Sequence, residues 1–150
     1  DAAALHESVD TAFPGSRVQI RVIDGRFETT LSQAGMVRPL TAAELSDGTL
    51  RYLLWIAALL SPRPAELTVL NEPEASLHPD LLAALAGLIA RACERSQLVV
   101  VTHSAPLVAA LADNLGDDLS LLRLTKFDGQ TTIVGQRLLD EPAWHWPGRN

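Results

Sequence analysis

The sequence of 150 residues contains little cysteine, lysine or aromatic side chain, and these shortages exclude several classes of protein. Cys93 is the single cysteine, so an internal disulfide framework is excluded and a reducing, cytoplasmic setting is expected. Aromatic residues make up 5% of the chain, which argues against the aromatic-rich cleft of a sugar-processing enzyme. No apolar run approaches the roughly 18 residues of a membrane-spanning helix, so we expect no membrane segment.

Composition and charge favour a globular domain that does not bind nucleic acid by itself. Hydrophobic residues make up 47% of the chain and charged residues 20%, which is typical of a folded protein. The formal net charge of −6 would repel a phosphate backbone. The four histidines are scattered without the spacing of zinc ligands. The chain starts with Asp1 rather than Met, so we expect further sequence upstream.

Alternation and turn residues predict two peripheral antiparallel hairpins. Residues 17–23 and 26–31 flank Asp24-Gly25, and residues 120–125 and 131–134 flank Asp128-Gly129. Helical spacing of apolar residues predicts three helices, at about residues 48–60, 79–94 and 106–113. On the first of these, the predicted apolar face includes Leu50, Leu53, Leu54, Ala57 and Ala58. On the second, the predicted buried stripe includes Leu81, Leu82, Leu85, Leu88, Ile89 and Ala92. Residues 1–16 contain no element that the pattern assigns, and residues 136–150 form an unassigned tail.

Two short apolar runs, residues 67–70 and 98–101, lie on either side of the central predicted helix. Strands without alternation are usually buried on both faces of a parallel sheet, so this segment is predicted to be a right-handed βαβ unit. Ligands of such sheets bind beyond the carboxyl ends of the strands. Glu72 follows the first strand and His103 the second. We therefore predict that this carboxylate and this imidazole lie side by side.

The local pattern leaves the chemistry of these positions open. Glu72 could act as a general base toward water, or it could be a solvated carboxylate at a strand end. His103 could contact a ligand or be a satisfied structural histidine. Ser46 and Gly48 stand at a helix start, where free N–H groups suit a phosphate, but an ordinary helix cap has the same residues.

Four segments in this order resemble the second half of the ATP-binding-cassette (ABC) ATPases, nearest to the RecF/SMC-like predicted ATPases without transmembrane partners. Residues 45–51 resemble the signature motif and residues 67–72 the Walker B motif. Residues 75–79 resemble the D-loop, and His103 with its flanking residues resembles the switch-histidine segment. The resemblance covers roughly residues 17–135. It implies a partial P-loop NTPase-like α/β domain with a parallel sheet core, flanking helices and peripheral hairpins.

The resemblance also implies roles for single residues. Glu72 would polarise the attacking water, and His103 would contact the γ-phosphate of ATP. Ser46 and Gly48 would reach the nucleotide of a second subunit, in a homodimer formed through the signature motif and the D-loop. Arg51 would brace the signature loop or the interface, or it would be a solvated arginine. ATP and Mg²⁺ are the implied cofactors, and DNA is a further partner to consider for the full-length protein.

Two departures from the family pattern limit what this chain can do alone. The phosphate-binding loop GxxxxGK[S/T] is absent, and the single lysine, Lys126, lies in a predicted hairpin. A separate N-terminal lobe would have to supply that loop, so we expect these residues alone to be inactive. Asn71 replaces the acid that usually precedes the Walker B glutamate. It keeps an oxygen that could hold Mg²⁺ through water but lacks the charge that a hard cation prefers.

Two other functions are compatible with these residues. Asn71 makes a non-hydrolysing module, in which the nucleotide controls dimerisation or regulation, the main alternative. Glu72 and Glu74 could instead be a glycosidase-type carboxylate pair, but Pro73 between them and the few aromatic residues argue against it. Glu74 is then better interpreted as a loop-stabilising or solvated carboxylate.

Overall fold

The structure, a computed structural model, describes residues 2–135 apart from the side chain of Phe127. The chain falls into two units, residues 1–116 and residues 117–150. The predicted tail, residues 136–150, lies outside the described residues. No helix among the described residues combines the length and apolar character needed to cross a membrane.

The first unit contains four helices and two sheets within the described residues. The helices are α1 (Ala2–Ala12), α2 (Asp47–Leu59), α3 (Leu82–Cys93) and α4 (Ala105–Leu115). The strands are β1 (Arg17–Ile23), β2 (Arg26–Ser32), β3 (Leu40–Thr41), β4 (Leu67–Asn71) and β5 (Gln97–Val101). Short 3₁₀ turns precede α2 and α3, at Ala42–Glu44 and Pro79–Leu81.

The first predicted hairpin is confirmed. β1 and β2 pair antiparallel from Arg17↔Ser32 to Ile23↔Arg26, and β3 adds to the far edge of β2. Its two-residue turn is Asp24-Gly25, and both residues have positive φ angles, of 50° and 75°. Such a turn matches the right-handed twist of paired strands, which explains why this local sequence signal was reliable.

α1 is a helix that the sequence pattern did not predict. Its buried residues are Ala4, Ser8 and Val9, two of them small, so hydrophobic periodicity gives a weak signal there. The Tyr52 hydroxyl of α2 donates to the carbonyl of Ser8 at 3.4 Å. The Tyr52 ring packs edge to face against the Phe13 ring, with 5.6 Å between the ring centroids. Burial raises the pKa of Tyr52 to about 12, so this phenol stays neutral.

The predicted parallel pair is confirmed, but its predicted burial is wrong. β4 and β5 pair in parallel from Leu67↔Gln97 to Asn71↔Val101. One face of the pair carries the buried Leu70, and α3 contacts β5. On the other face, Val69, Val99 and Val101 are 60%, 43% and 50% exposed to solvent. No described element covers that face, so these apolar strands are covered on one side only.

α3 forms the centre of the first unit and contacts α1, α2 and α4. Its buried residues agree with the predicted stripe with two exceptions: the predicted Leu82 is half-buried, and Ala86, which was not predicted, is buried. For α2 the predicted face is wrong: the buried residues are Tyr52, Ile56 and Leu59. The predicted face, with Leu50, Leu53, Leu54 and Ala57, lines an open groove of about 600 Å³. Because α2 is apolar around much of its circumference, periodicity could not select the packed side.

The second unit contains a hairpin of β6 (Leu124–Phe127) and β7 (Gln130–Ile133). They pair antiparallel across Asp128-Gly129, as predicted. The first strand starts at Leu124, later than the predicted residue 120. The amide of Val134 donates to the carbonyl of Arg123 at 2.8 Å, which extends the pairing by one bond.

Glu44 anchors the turn that precedes α2. Its carboxylate accepts hydrogen bonds from the Thr41 amide at 2.9 Å and the Thr41 hydroxyl at 3.0 Å. Arg38 donates to both of its oxygens, at 2.9 and 2.6 Å. Thr41 and Glu44 thus form a capping box at the 3₁₀ turn, and α2 begins separately with Ser46 as its N-cap. The hydrogen bond from Arg38, together with the two from Thr41, lowers the pKa of Glu44 to about 2.

This lowered pKa makes the contribution of Glu44 to stability depend on pH. The pKa falls from 4.5 to about 2 on folding, so the contribution is complete above pH 4.5 and is lost as the pH falls through 2. We expect Glu44→Gln to lower the melting temperature at neutral pH. The difference in melting temperature between the variant and the parent should shrink as the pH falls from 4.5 to about 2. Thermal unfolding measured by circular dichroism at a series of pH values checks this.

The matched control for that experiment is Glu66→Gln. The Glu66 side chain is exposed and makes no hydrogen bond within residues 2–135, so its neutralisation should not produce this pH profile. A Glu44→Gln effect that stays constant from neutral pH down to about 2 would contradict the assignment of the lowered pKa to the folded ion pair.

Candidate functional site

Glu72 and His103 meet at the carboxyl edge of the parallel pair. The Glu72 amide donates to the Val101 carbonyl at 2.8 Å, which continues the β4–β5 pairing by one residue. His103 Nδ1 lies 3.3 Å from Glu72 Oε1. The His103 side chain is 80% exposed and the Glu72 side chain 50% exposed. The structure thus brings together the two residues that the sequence placed at this edge, and it leaves both open to a ligand.

The backbone of Glu72 lies in the left-handed region, with φ of 47°. A residue with a Cβ pays about 1–3 kcal/mol for such a conformation, which persists only where neighbouring bonds hold it. Here the Glu72 amide is fixed by Val101, and its carbonyl accepts the Ala75 amide at 3.0 Å. Ser76, further along the same loop, has φ of 64°. A strained acid held at a strand end is typical of a functional position.

α2 holds the loop after Glu72 through two side chains that lie one helical turn apart. Arg51 Nη1 donates to the Ala75 carbonyl at 2.9 Å, and Trp55 Nε1 donates to the Pro73 carbonyl at 2.9 Å. Arg51 therefore braces the loop after Glu72, whereas the sequence interpretation had placed its bracing role on the signature loop or the interface. The role of Trp55 was missed, although its spacing of four residues from Arg51 places both on one helix face.

Ser46 and Gly48 lie at the amino end of α2. The Ser46 hydroxyl accepts the Thr49 amide at 3.1 Å, so it caps the helix, and it remains exposed. A Cβ built on Gly48 would lie 2.8 Å from the Ser76 carbonyl oxygen. Glycine is therefore required for the helix to approach this loop. Within the described residues, neither Ser46 nor Gly48 has a hydrogen bond to Glu72 or His103.

Asn71 is the last residue of β4, opposite Val101, and its side chain is exposed. Its amide oxygen is available at the same edge as Glu72. Among residues 2–135 no group of three or more histidine, cysteine, aspartate or glutamate side chains could hold a metal ion. A divalent cation at this edge would therefore need oxygens from elsewhere, such as water or phosphate.

Glu74 and Thr102 connect the loops that carry Glu72 and His103. The Thr102 hydroxyl donates to Glu74 Oε1 and accepts the Ser104 amide at 3.0 Å. The Ser104 hydroxyl in turn accepts the Leu107 amide at 3.3 Å and so caps α4. Glu74 is thus loop-stabilising, one of its two sequence interpretations, whereas Thr102 was missed. Glu74 Oε2 is buried and has no hydrogen-bond partner in the described part of the chain.

Comparison with known sequences identifies a family and similar proteins. The sequence profile of the family described as "AAA domain, putative AbiEii toxin, Type IV TA system" matches residues 5–110. The chromosome partition protein Smc of Mycolicibacterium paratuberculosis (strain ATCC BAA-968 / K-10) is 28% identical over 133 residues. That match covers 84% of this chain and 11% of the Smc protein, so this chain spans about a tenth of that relative.

Solved structures show the same fold. A chain from "Structural biochemistry of ATP-driven dimerization and DNA stimulated activation of SMC ATPases" has a TM-score of 0.68 at 18% identity, over 93% of this chain and 84% of that one. A second structure is the Smc head of Pyrococcus furiosus with an extended coiled coil, bound to the C-terminal domain of ScpA. It has a TM-score of 0.65 at 16% identity, over 89% of this chain and 33% of that one. The predicted α/β fold of an ATPase head is therefore confirmed.

The close approach of Gly48 to the Ser76 carbonyl predicts opposite effects of alanine at two helical glycines. Gly48→Ala must displace backbone, which costs about 1–3 kcal/mol and exceeds the gain of about 1 kcal/mol from helix propensity. Gly87→Ala on α3 is the matched control, because its Cβ would meet only Asn114 Oδ1 at 3.9 Å. Urea unfolding should show Gly48→Ala less stable and Gly87→Ala more stable than the parent. Equal shifts in one direction would refute the contact.

Proposed function

We propose a function from the premise that this chain belongs to the AAA domain family described as putative AbiEii toxin, type IV TA system, within the SMC/RecF-like ABC ATPases. In the full-length protein it would form the C-terminal part of an ATPase head that hydrolyses ATP between two heads. One observation carries this proposal: Glu72 Oε1 and His103 Nδ1 lie 3.3 Å apart, just beyond the ends of two neighbouring parallel strands.

Glu72 and His103 would act on the reaction directly. Glu72 is half-exposed and would orient the attacking water and accept its proton. His103 would donate a hydrogen bond to the terminal phosphate and so respond to its presence. Bound ATP with Mg²⁺ supplies the phosphoryl group and the cation that neutralises its charge. Because catalysis of this kind depends on positioning and charge, two such groups held by a rigid strand pair are well suited to it.

The residues present fit one part of a nucleotide site. Ser46 is exposed at the start of α2, and together with the amides of the first helical turn it would face a phosphate held by a second head. Asn71 offers an amide oxygen that would hold Mg²⁺ through water. Lys126, the single lysine of the sequence, lies in the other unit. The phosphate-binding loop must therefore come from elsewhere, and these residues alone are expected to be inactive.

The open face of the β4–β5 pair supports a covering lobe. Parallel strands are almost always covered on both faces, yet Val69, Val99 and Val101 are exposed here. We assign this face to an N-terminal lobe that carries the Walker A loop. The match to about a tenth of an Smc protein agrees with a longer full-length protein.

Dimerisation and further partners belong to the same proposal. Two heads would meet through the signature motif, residues 45–51, and the D-loop, residues 75–79. The similar SMC ATPases are described as dimerising in an ATP-driven manner and as stimulated by DNA. With a net charge of −6, this part of the protein is not suited to contact DNA itself, so a DNA partner would bind elsewhere. A cytoplasmic location rests on Cys93 being the single cysteine.

Asn71 favours a second function, in which ATP binding joins two heads without turnover. An amide oxygen binds a hard cation less strongly than a carboxylate does, and the cation neutralises the charge that develops during phosphoryl transfer. A head with weak Mg²⁺ binding would hold ATP as a clamp and signal to a partner. The two functions differ in whether Glu72 affects phosphate release.

Glu72→Gln tests the catalytic proposal in the full-length protein. Removing a general base is expected to lower the rate of phosphate release by about 10²–10⁴-fold, because the amide cannot accept the proton of water. ATP should remain bound, so the variant should accumulate as an ATP-dependent dimer in light scattering. Glu66→Gln serves as the control for a change of charge alone. If Glu72→Gln releases phosphate at the parental rate, the catalytic proposal fails.

Asn71→Asp tests the cation part of the proposal. A carboxylate restores the charge that Mg²⁺ prefers, so half-maximal activity should occur at a lower Mg²⁺ concentration and turnover should increase. Phosphate release measured across a Mg²⁺ titration, with Asn71→Ala as the variant that removes the oxygen, checks this. If Asp, Ala and the parent have the same Mg²⁺ dependence, the cation is held by other residues.

A further inference from the structure

The position of His103 depends on its backbone rather than on side-chain packing. The side chain is 80% exposed, and within the described residues its one polar contact is with Glu72. An exposed imidazole would turn away from Glu72 if its loop moved. The loop between β5 and α4 must therefore be held by other bonds.

Thr102 and Ser104 provide these bonds on the two sides of His103. The Thr102 hydroxyl uses both of its roles: it donates to Glu74 and accepts the amide of Ser104. The Ser104 side chain caps α4. The segment that carries His103 is thus fixed to the start of α4 on one side and to the Glu72 loop, through Glu74, on the other.

We propose that Glu74 and Thr102 are positioning residues that align His103 with Glu72, an inference that rests on the proposed function. The hydrogen bond between them is a side-chain link between the two loops, in addition to the contact of His103 with Glu72. Neither residue needs to touch substrate. They act by preventing the two loops from separating.

The environment of Glu74 shows why its carboxylate depends on the Thr102 hydroxyl as a hydrogen-bond donor. Its Oε2 atom is buried without a partner among the described residues, so burial of this carboxylate is costly. A buried acceptor that loses its one donor would be drawn toward water. Removal of the Thr102 hydroxyl should therefore release the Glu74 side chain and the segment that carries His103, while Arg51 and Trp55 still hold the loop after Glu72. The contact between His103 and Glu72 should then be lost.

The first test compares Thr102→Val with Thr102→Ser in the full-length protein. Valine keeps the shape and removes the hydroxyl, whereas serine keeps the hydroxyl. A displacement of about 1 Å at a reacting group can lower the rate about 10²-fold, so we expect that loss of kcat for valine and near-parental kcat for serine. KM for ATP should change less than kcat, since His103 is the one nucleotide-contacting group that is displaced and Ser46 and Asn71 are untouched. Parental kcat in Thr102→Val would overturn the proposal.

Glu74 supplies a second pair of variants if valine at position 102 prevents folding. Glu74→Gln keeps an oxygen that can accept the Thr102 hydroxyl, whereas Glu74→Leu has a similar size and no acceptor. We expect the glutamine variant to retain kcat and the leucine variant to lose it to the same extent as Thr102→Val. Equal kcat in the two variants would overturn the proposal, because the acceptor would then have no effect on the reaction.

A measurement that does not need hydrolysis separates this proposal from the proposed function. The measurement is NMR of the protein labelled with ¹³C-histidine, in which a His103→Gln variant identifies the ring signal of His103. Introducing Glu72→Gln should shift that signal in the parent and in Thr102→Ser. The same change should have little effect in Thr102→Val, where the two loops have separated. An equal shift in Thr102→Val would overturn the positioning role. A parent without ATP turnover would refute the proposed function, and the ring signals would still decide this inference.

Discussion

The parallel pairing of β4 with β5 is the constraint on which the site depends. Its register ends at Asn71 opposite Val101, and the Glu72 amide adds one more hydrogen bond to the ladder. A shift of one residue would exchange the faces of every side chain in the strand and move the buried Leu70 to the open side. The contact between an acid and an imidazole 31 positions apart in the sequence thus follows from one short ladder.

α2 supports this edge from a separate direction. Arg51 and Trp55 each donate to a carbonyl of the loop after Glu72, and Gly48 allows the helix to approach the Ser76 carbonyl. The backbone of that loop includes two residues in the left-handed region, which a free loop would not keep. Packing from α2 and pairing from β5 together hold the strained segment, so α2 and the loop after Glu72 behave as one structural unit.

The sequence predicted those features that local chemistry determines. The Asp24-Gly25 turn specified a hairpin, and two apolar runs around a helix specified the parallel pair. It failed where small or uniformly apolar residues make periodicity uninformative: α1 is buried through Ala4 and Ser8, and α2 packs through Tyr52 rather than Leu54. In the site, the backbone order placed Glu72 and His103 correctly. The links through Trp55 and Thr102 could not be predicted, because a single side-chain hydrogen bond between loops leaves no repeated pattern.

The open face of the strand pair also has a consequence for how such a protein is made. Within the described residues β4 and β5 pair only with each other, so each has a free row of amides and carbonyls beside a bare aliphatic surface. Rows of this kind recruit strands from other molecules and lead to aggregates. If the covering lobe precedes this chain, as proposed, the ribosome completes it first. The partner surface is then already folded when the two strands emerge from the ribosome. Their apolar face can be covered at once and is exposed to water only briefly.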